Sequence, residues 1–229
     1  PACLDIGAAA GQGIRPFVDK ITTPGRSLAG QSLSLDSICL AQFFVDLQKS
    51  GKFFDSIYSS SFSYFISALY VLGHDDKELT DLLRRFYSSE QMNRNLDISF
   101  PETFIFKNTR IMKYARELAS DRRIEMFHTQ PVCKLISSGR ERIASTGELG
   151  DMMAASFITT PLFEAVDSGG GRCSSGYPGI TVSPAELFRT GCEEVYYLSA
   201  LNRERIRPDE AVINELYVNT LDTGTATYS

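Results

Sequence analysis

Residues 55–73 constrain the fold more than any other stretch: Asp-Ser-Ile-Tyr-Ser-Ser-Ser-Phe-Ser-Tyr-Phe-Ile-Ser-Ala-Leu-Tyr-Val-Leu-Gly. An apolar strand end, Ile57 and Tyr58, meets a cluster of small residues. A helical pattern follows, with Phe65, Ile66, Leu69, Tyr70 and Leu72 as its apolar positions. That is the layout of a nucleophile elbow, a tight strand-to-helix turn that holds a serine hydroxyl above a sheet. Both glycines of the G-x-S-x-G pattern are serines here, Ser59 and Ser63, around a central Ser61. The run therefore reads either as an altered elbow or as a polar turn that caps the following helix, a common use of serine.

A chain of 229 residues can bury the core of one α/β domain. Its net charge of −5 argues against nucleic acid as a partner. No apolar run approaches the roughly 18 residues of a membrane span. No basic segment followed by an apolar one marks a signal peptide. Five cysteines without a C-x-x-C spacing fit reduced thiols better than a disulfide framework. Cytoplasmic residence is the expectation, and an effector delivered to a host fits equally. The two histidines, His74 and His128, have no ligand-spaced neighbours, so neither a metal nor another cofactor is expected. His74 sits in a turn signal and His128 ends an expected strand.

Along the chain, residues 1–30 read as an irregular lead-in. Gly7-Ala8-Ala9-Ala10-Gly11-Gln12-Gly13 lacks the Lys-Ser/Thr of a P-loop. Residues 31–201 read as one α/β domain and 202–229 as an extension with a mobile end. Strands are expected at 31–35, 53–58, 103–106, 124–128, 132–137 and 194–201. Helices are expected at 38–49, from the elbow to Gly73, and at 78–87, 111–120, 147–156 and 184–190; 88–101 reads as a loop. Strands alternating with helices predict a mostly parallel sheet. The helix at 111–120 carries Arg110, Lys113 and Arg116 beside Arg122 and Arg123, which read as a solvated face or as contact with an anionic membrane surface.

The order of several blocks resembles the patatin-like phospholipase family. They are Leu33-Ser34-Leu35-Asp36, Phe54-Asp55-Ser56-Ile57, the elbow at Ser61, and Ala68 to Gly73. Further on come Met153 to Phe163, then Leu187, Gly191 and Glu194 to Leu198. The resemblance implies a three-layer fold with a mostly parallel central sheet flanked by helices. It implies a Ser-Asp dyad acting on an acyl ester of a lipid, with a Gly-rich loop after the first strand as oxyanion hole. Ser61 takes the nucleophile position.

Three departures follow from that comparison. Asp36 and Ser37 are all that remains where the Gly-rich loop is expected. Ser59 and Ser63 replace the elbow glycines. Ser175, in Ser175-Gly176-Tyr177, stands in the position of the family's aspartate, and a serine is no useful base near neutral pH. Asp167 is the nearest acid in sequence, and Asp151 or Asp36 are other substitutes. The expected function is a catalytically impaired domain that binds a lipid, an acyl ester or a protein, with peripheral membrane contact compatible. The alternative is an active acyl hydrolase that uses Ser61 with a non-standard acid. A different strand order would point to another α/β binding module.

Overall fold

A computed structural model describes residues 2–6, 35–51, 53–86, 88–98, 104–158, 163–168, 171–175, 194–199, 213–220 and 226–228. Among the described residues nine strands form one sheet, ordered β11-β10-β9-β1-β2-β5-β8-β7, with β6 paired to β5. These are β1 Ala2–Ile6, β2 Ser56–Ser60, β5 Gln130–Ser137, β6 Arg140–Ala144, β7 Val166–Ser168, β8 Gly171–Ser175, β9 Glu194–Ser199, β10 Ile213–Thr220 and β11 Ala226–Tyr228. A separate antiparallel pair joins β3 Asp97–Ile98 to β4 Phe106–Lys107. Among the described residues six helices accompany them: α1 Leu35–Ser50, α2 Ser61–Val71, α3 Asp76–Phe86, α4 Ser89–Asn95, α5 Thr109–Ala119 and α6 Leu149–Phe157.

The chain is a mixed α/β protein. Strands β10, β9, β1, β2 and β5 run parallel, and helices lie between β1 and β2 and between β2 and β5. Antiparallel strands are added to this block: β11 on β10, β6 and β8 on β5, and β7 on β8. The sheet is thus mixed where a mostly parallel one was expected. The Ser138-Gly139 turn between β5 and β6 explains one antiparallel return. Both residues have positive φ, 50° and 77°, as a two-residue hairpin turn requires.

Several expected boundaries move, each for a local reason. The strand expected at 31–35 does not include Leu35, which opens α1; residues 31–34 lie outside the described residues. The expected irregular lead-in instead supplies β1, a central strand hydrogen-bonded on both edges, to β2 and β9. The stretch expected as a loop holds α4, whose start is capped by the Ser88 hydroxyl accepting from Gln91 N–H at 3.2 Å. At 124–128 the strand is replaced by one 3-10 turn, Ile124–Met126, because Arg123 and Gly147 bind back to Glu125. The C-terminal extension contributes β10 and β11 to the sheet. The helix expected at 184–190 lies outside the described residues.

Elsewhere the sequence signals hold. Asp75 caps α3 by accepting from Glu78 N–H at 2.8 Å, and the Glu78 carboxylate accepts from Asp75 N–H at 3.3 Å, a reciprocal capping box. Leu4 is in register with Ile57, and Ser59 with Cys133, so these side chains share one face of the sheet. On that face Leu4, Ile57, Cys133 and Leu135 join a core filled by α2 and α6. Phe62, Phe65, Phe86 and Phe157 pack there with ring centroids 4.6–5.8 Å apart.

Candidate functional site: a buried pair of serine hydroxyls

β2 leaves the sheet at Ser60, and α2 begins at the next residue. The reversal is sharp because Ser60 is still extended (φ −132°, ψ 163°), whereas Ser61 has φ +50°. A positive φ is unfavourable for any residue with a Cβ, and such strain concentrates at functional turns. The elbow geometry inferred from the sequence is therefore present in the backbone.

The serines that replace the elbow glycines are absorbed by hydrogen bonds. The Ser63 hydroxyl donates to the Ser60 carbonyl at 2.7 Å. The Ser67 hydroxyl donates to the Ser63 carbonyl at 2.8 Å, and Ser59 donates to the Ser67 hydroxyl at 3.2 Å. All of these side chains are buried, so each bond removes an otherwise costly unpaired group. Ser67 is a member of this network that the sequence reading did not identify. Ser60 occupies the N-cap position of α2 and makes no side-chain cap bond.

The Ser61 hydroxyl meets the Ser175 hydroxyl at 2.6 Å, across 114 positions of sequence. The sheet explains the meeting. Cys133 pairs with both Ser59 and Ala144, and Ser137 with both Arg140 and Cys173. A strand has two edges, so β6 occupies one edge of β5 while β2 and then β8 share the other. β2 ends opposite Lys134, and β8 ends opposite the next residue, Leu135. The two strands thus arrive head to head, and their last residues adjoin. Ser175 N–H donates to the Ile158 carbonyl at 2.6 Å, which ties this end of β8 to the end of α6.

The other sequence candidates fall away from this pair. Asp167 lies on β7 in register with Arg172, with its side chain 83% exposed and its carboxylate 3.8 Å from the Arg172 guanidinium. Asp151 accepts a 2.7 Å hydrogen bond from Arg116. Asp36 and Ser37 lie in the first turn of α1 rather than in a loop after a strand. His74 lies beside Glu78 at 3.4 Å, and His128 precedes the amino end of β5, which pairs with the start of β2 and not with its Ser61 end. No carboxylate or imidazole is within hydrogen-bond reach of Ser61 among the described residues. Those residues hold no cluster of three or more His, Cys, Asp or Glu placed to bind a metal.

The basic helix is a neutralised surface. Arg110 faces Asp97, Lys113 faces Glu117, Arg116 binds Asp151, and Arg123 binds Glu125 and Glu148. Arg122 lies over the ring of Phe127 at 5.9 Å. Among the described residues no helix is long and apolar enough to cross a membrane. No protein-family model matches this chain, and none of the curated proteins matches it.

Proposed function

We propose that this chain is a patatin-like, three-layer domain whose Ser-Asp dyad has become a Ser-Ser pair. On this reading it binds a lipid, an acyl group or a protein without turnover. The observation that carries the proposal is the 2.6 Å contact of Ser61 with Ser175, the two positions that the resemblance assigns to nucleophile and base. A serine hydroxyl holds its proton near neutral pH and cannot accept another usefully, so Ser175 does not activate Ser61 as a base would.

The sheet order supports the resemblance in a second place. The strand that precedes a Gly-rich stretch is β1, next to the elbow strand, and the stretch that follows it in sequence is Gly7 to Gly13. That stretch, rather than Asp36 and Ser37, then corresponds to the family's oxyanion loop. An active acyl hydrolase remains the second reading because Ser61 keeps a strained elbow conformation that simple capping does not need.

Labelling with a fluorophosphonate separates the two. The native protein is expected to remain unlabelled, while Ser175→Asp, which supplies a carboxylate beside Ser61, gains labelling that Ser61→Ala removes. Labelling of the native protein that vanishes in Ser61→Ala would overturn the proposal in favour of the hydrolase.

A further inference from the structure

Ser61 opens α2, and the last residue of that helix, Val71, lines a cavity of about 280 Å³. The other described lining residues are Gln48 near the end of α1, Phe53 before β2, Tyr70 on α2, and Phe127, His128 and Thr129 before β5. Aromatic rings from Phe53, Tyr70 and Phe127 dominate its apolar wall. Two of these rings are held by a neighbour: Tyr70 stacks on Phe44 with centroids 4.6 Å apart, and Arg122 lies over Phe127 at 5.9 Å. Phe53 is 67% exposed, so its ring is open to whatever enters. The polar lining is unspent. Tyr70, His128 and Thr129 make no side-chain hydrogen bond among the described residues. Gln48 donates a long one, to the His74 carbonyl at 3.4 Å. Burial raises the pKa of the Tyr70 hydroxyl, so it keeps its proton and can donate. No Asp, Glu, Lys or Arg is among the described lining residues. A charged ligand would lose hydration there without a counter-charge in return. An aromatic wall with a few free polar groups is the usual make-up of a small-molecule site.

We infer that this cavity binds a small, uncharged aromatic molecule of one or two fused rings that carries a hydrogen-bonding group. The ring preference follows from the wall, because an aromatic pair binds roughly 2- to 10-fold better than equal apolar area. The ligand size follows from the volume, which is at the lower end for ligand sites. A protein partner fits less well. A stable interface buries about 1,200 Å² or more, whereas Phe53 and Met126 are the strongly exposed large apolar side chains here among the described residues. The site is separate from the Ser61–Ser175 pair and does not depend on how that pair is read.

The test is equilibrium dialysis of the full chain near neutral pH against naphthol, its saturated analogue decahydronaphthol, and naphthoate. Naphthol is expected to bind about 3- to 10-fold more tightly than decahydronaphthol, and more tightly than naphthoate. Phe53→Leu keeps an apolar side chain and removes the ring, so it should cut the preference for naphthol over decahydronaphthol by at least about twofold. Phe53 is largely exposed, so this substitution leaves the core intact. Tyr70→Phe keeps the ring and removes the hydroxyl, and should weaken naphthol by about 2- to 10-fold. No binding of naphthol, equal binding of the saturated analogue, tighter binding of naphthoate, or values unchanged in both variants would overturn the inference. Sedimentation of the unliganded chain adds a second check. A dimer that Phe53→Leu dissociates would also overturn it and give the cavity to a second copy of the chain.

Discussion

The backbone at Ser61 permits a prediction whose sign differs from the ordinary case. Compare Ser61→Ala with Ser61→Gly. Both lose the hydroxyl and leave Ser175 without its partner, so that loss cancels between them. What remains is the backbone. Alanine must keep φ near +50°, which costs a residue with a Cβ about 1–2 kcal/mol. Glycine escapes that cost but forfeits about 0.4–1 kcal/mol through its freer unfolded chain. The glycine variant should therefore be the more stable, by about 0.8 kcal/mol at the middle of these ranges and at most about 1.6. At an ordinary right-handed helix position the order reverses, glycine being worse by roughly 0.5–1 kcal/mol. Urea unfolding of both variants gives the comparison through midpoints at equal m-values. A glycine variant less stable than the alanine one by about 0.5 kcal/mol would refute the elbow geometry, since only a right-handed Ser61 gives that order.

Two further perturbations test the scaffold. Gly150→Ala places a Cβ 2.7 Å from the Arg116 backbone Cα, so α5 and α6 must separate; it should cost about 1–3 kcal/mol and roughly 3–10 °C in Tm. An unchanged melting curve would contradict that close crossing. The Glu125 carboxyl is held down at about 2, from an ordinary value near 4.5, by N–H bonds from Gly147 and its own backbone and by Arg123. A depressed acid stabilises the fold above its unfolded pKa, and the contribution is lost as pH falls through the folded one. Glu125→Gln should therefore flatten the loss of stability between about pH 4.5 and 2, read from urea midpoints; parallel profiles would count against it.

The strand-to-helix reversal at Ser61 was legible because its signal is local: an apolar strand end, small residues, then a helical apolar pattern. β1 was not. Its five residues, Ala-Cys-Leu-Asp-Ile, run directly into a Gly/Ala stretch that dilutes their apolar signal. The nearby Leu33-Ser34-Leu35 offered a clearer alternation and drew the strand assignment there, although Leu35 is helical. The partnership of Ser61 with Ser175 is fixed by two strand registers that no local pattern encodes, so only the family resemblance pointed to it. Asp167 looked usable because sequence distance says nothing about which way a strand residue faces. On β7 it faces solvent.

The shared edge of β5 acts as a ruler for the two hydroxyls. Both registers are counted on one strand, at Lys134 for β2 and Leu135 for β8. Insertions in the connecting loops leave that count untouched, and so does a change of side chain at position 61 or 175. Deleting one residue within 131–135 would shift one strand against the other by about 3.3 Å and turn its side chains to the opposite face. The chemistry of this pair can therefore drift one residue at a time while its spacing is inherited whole.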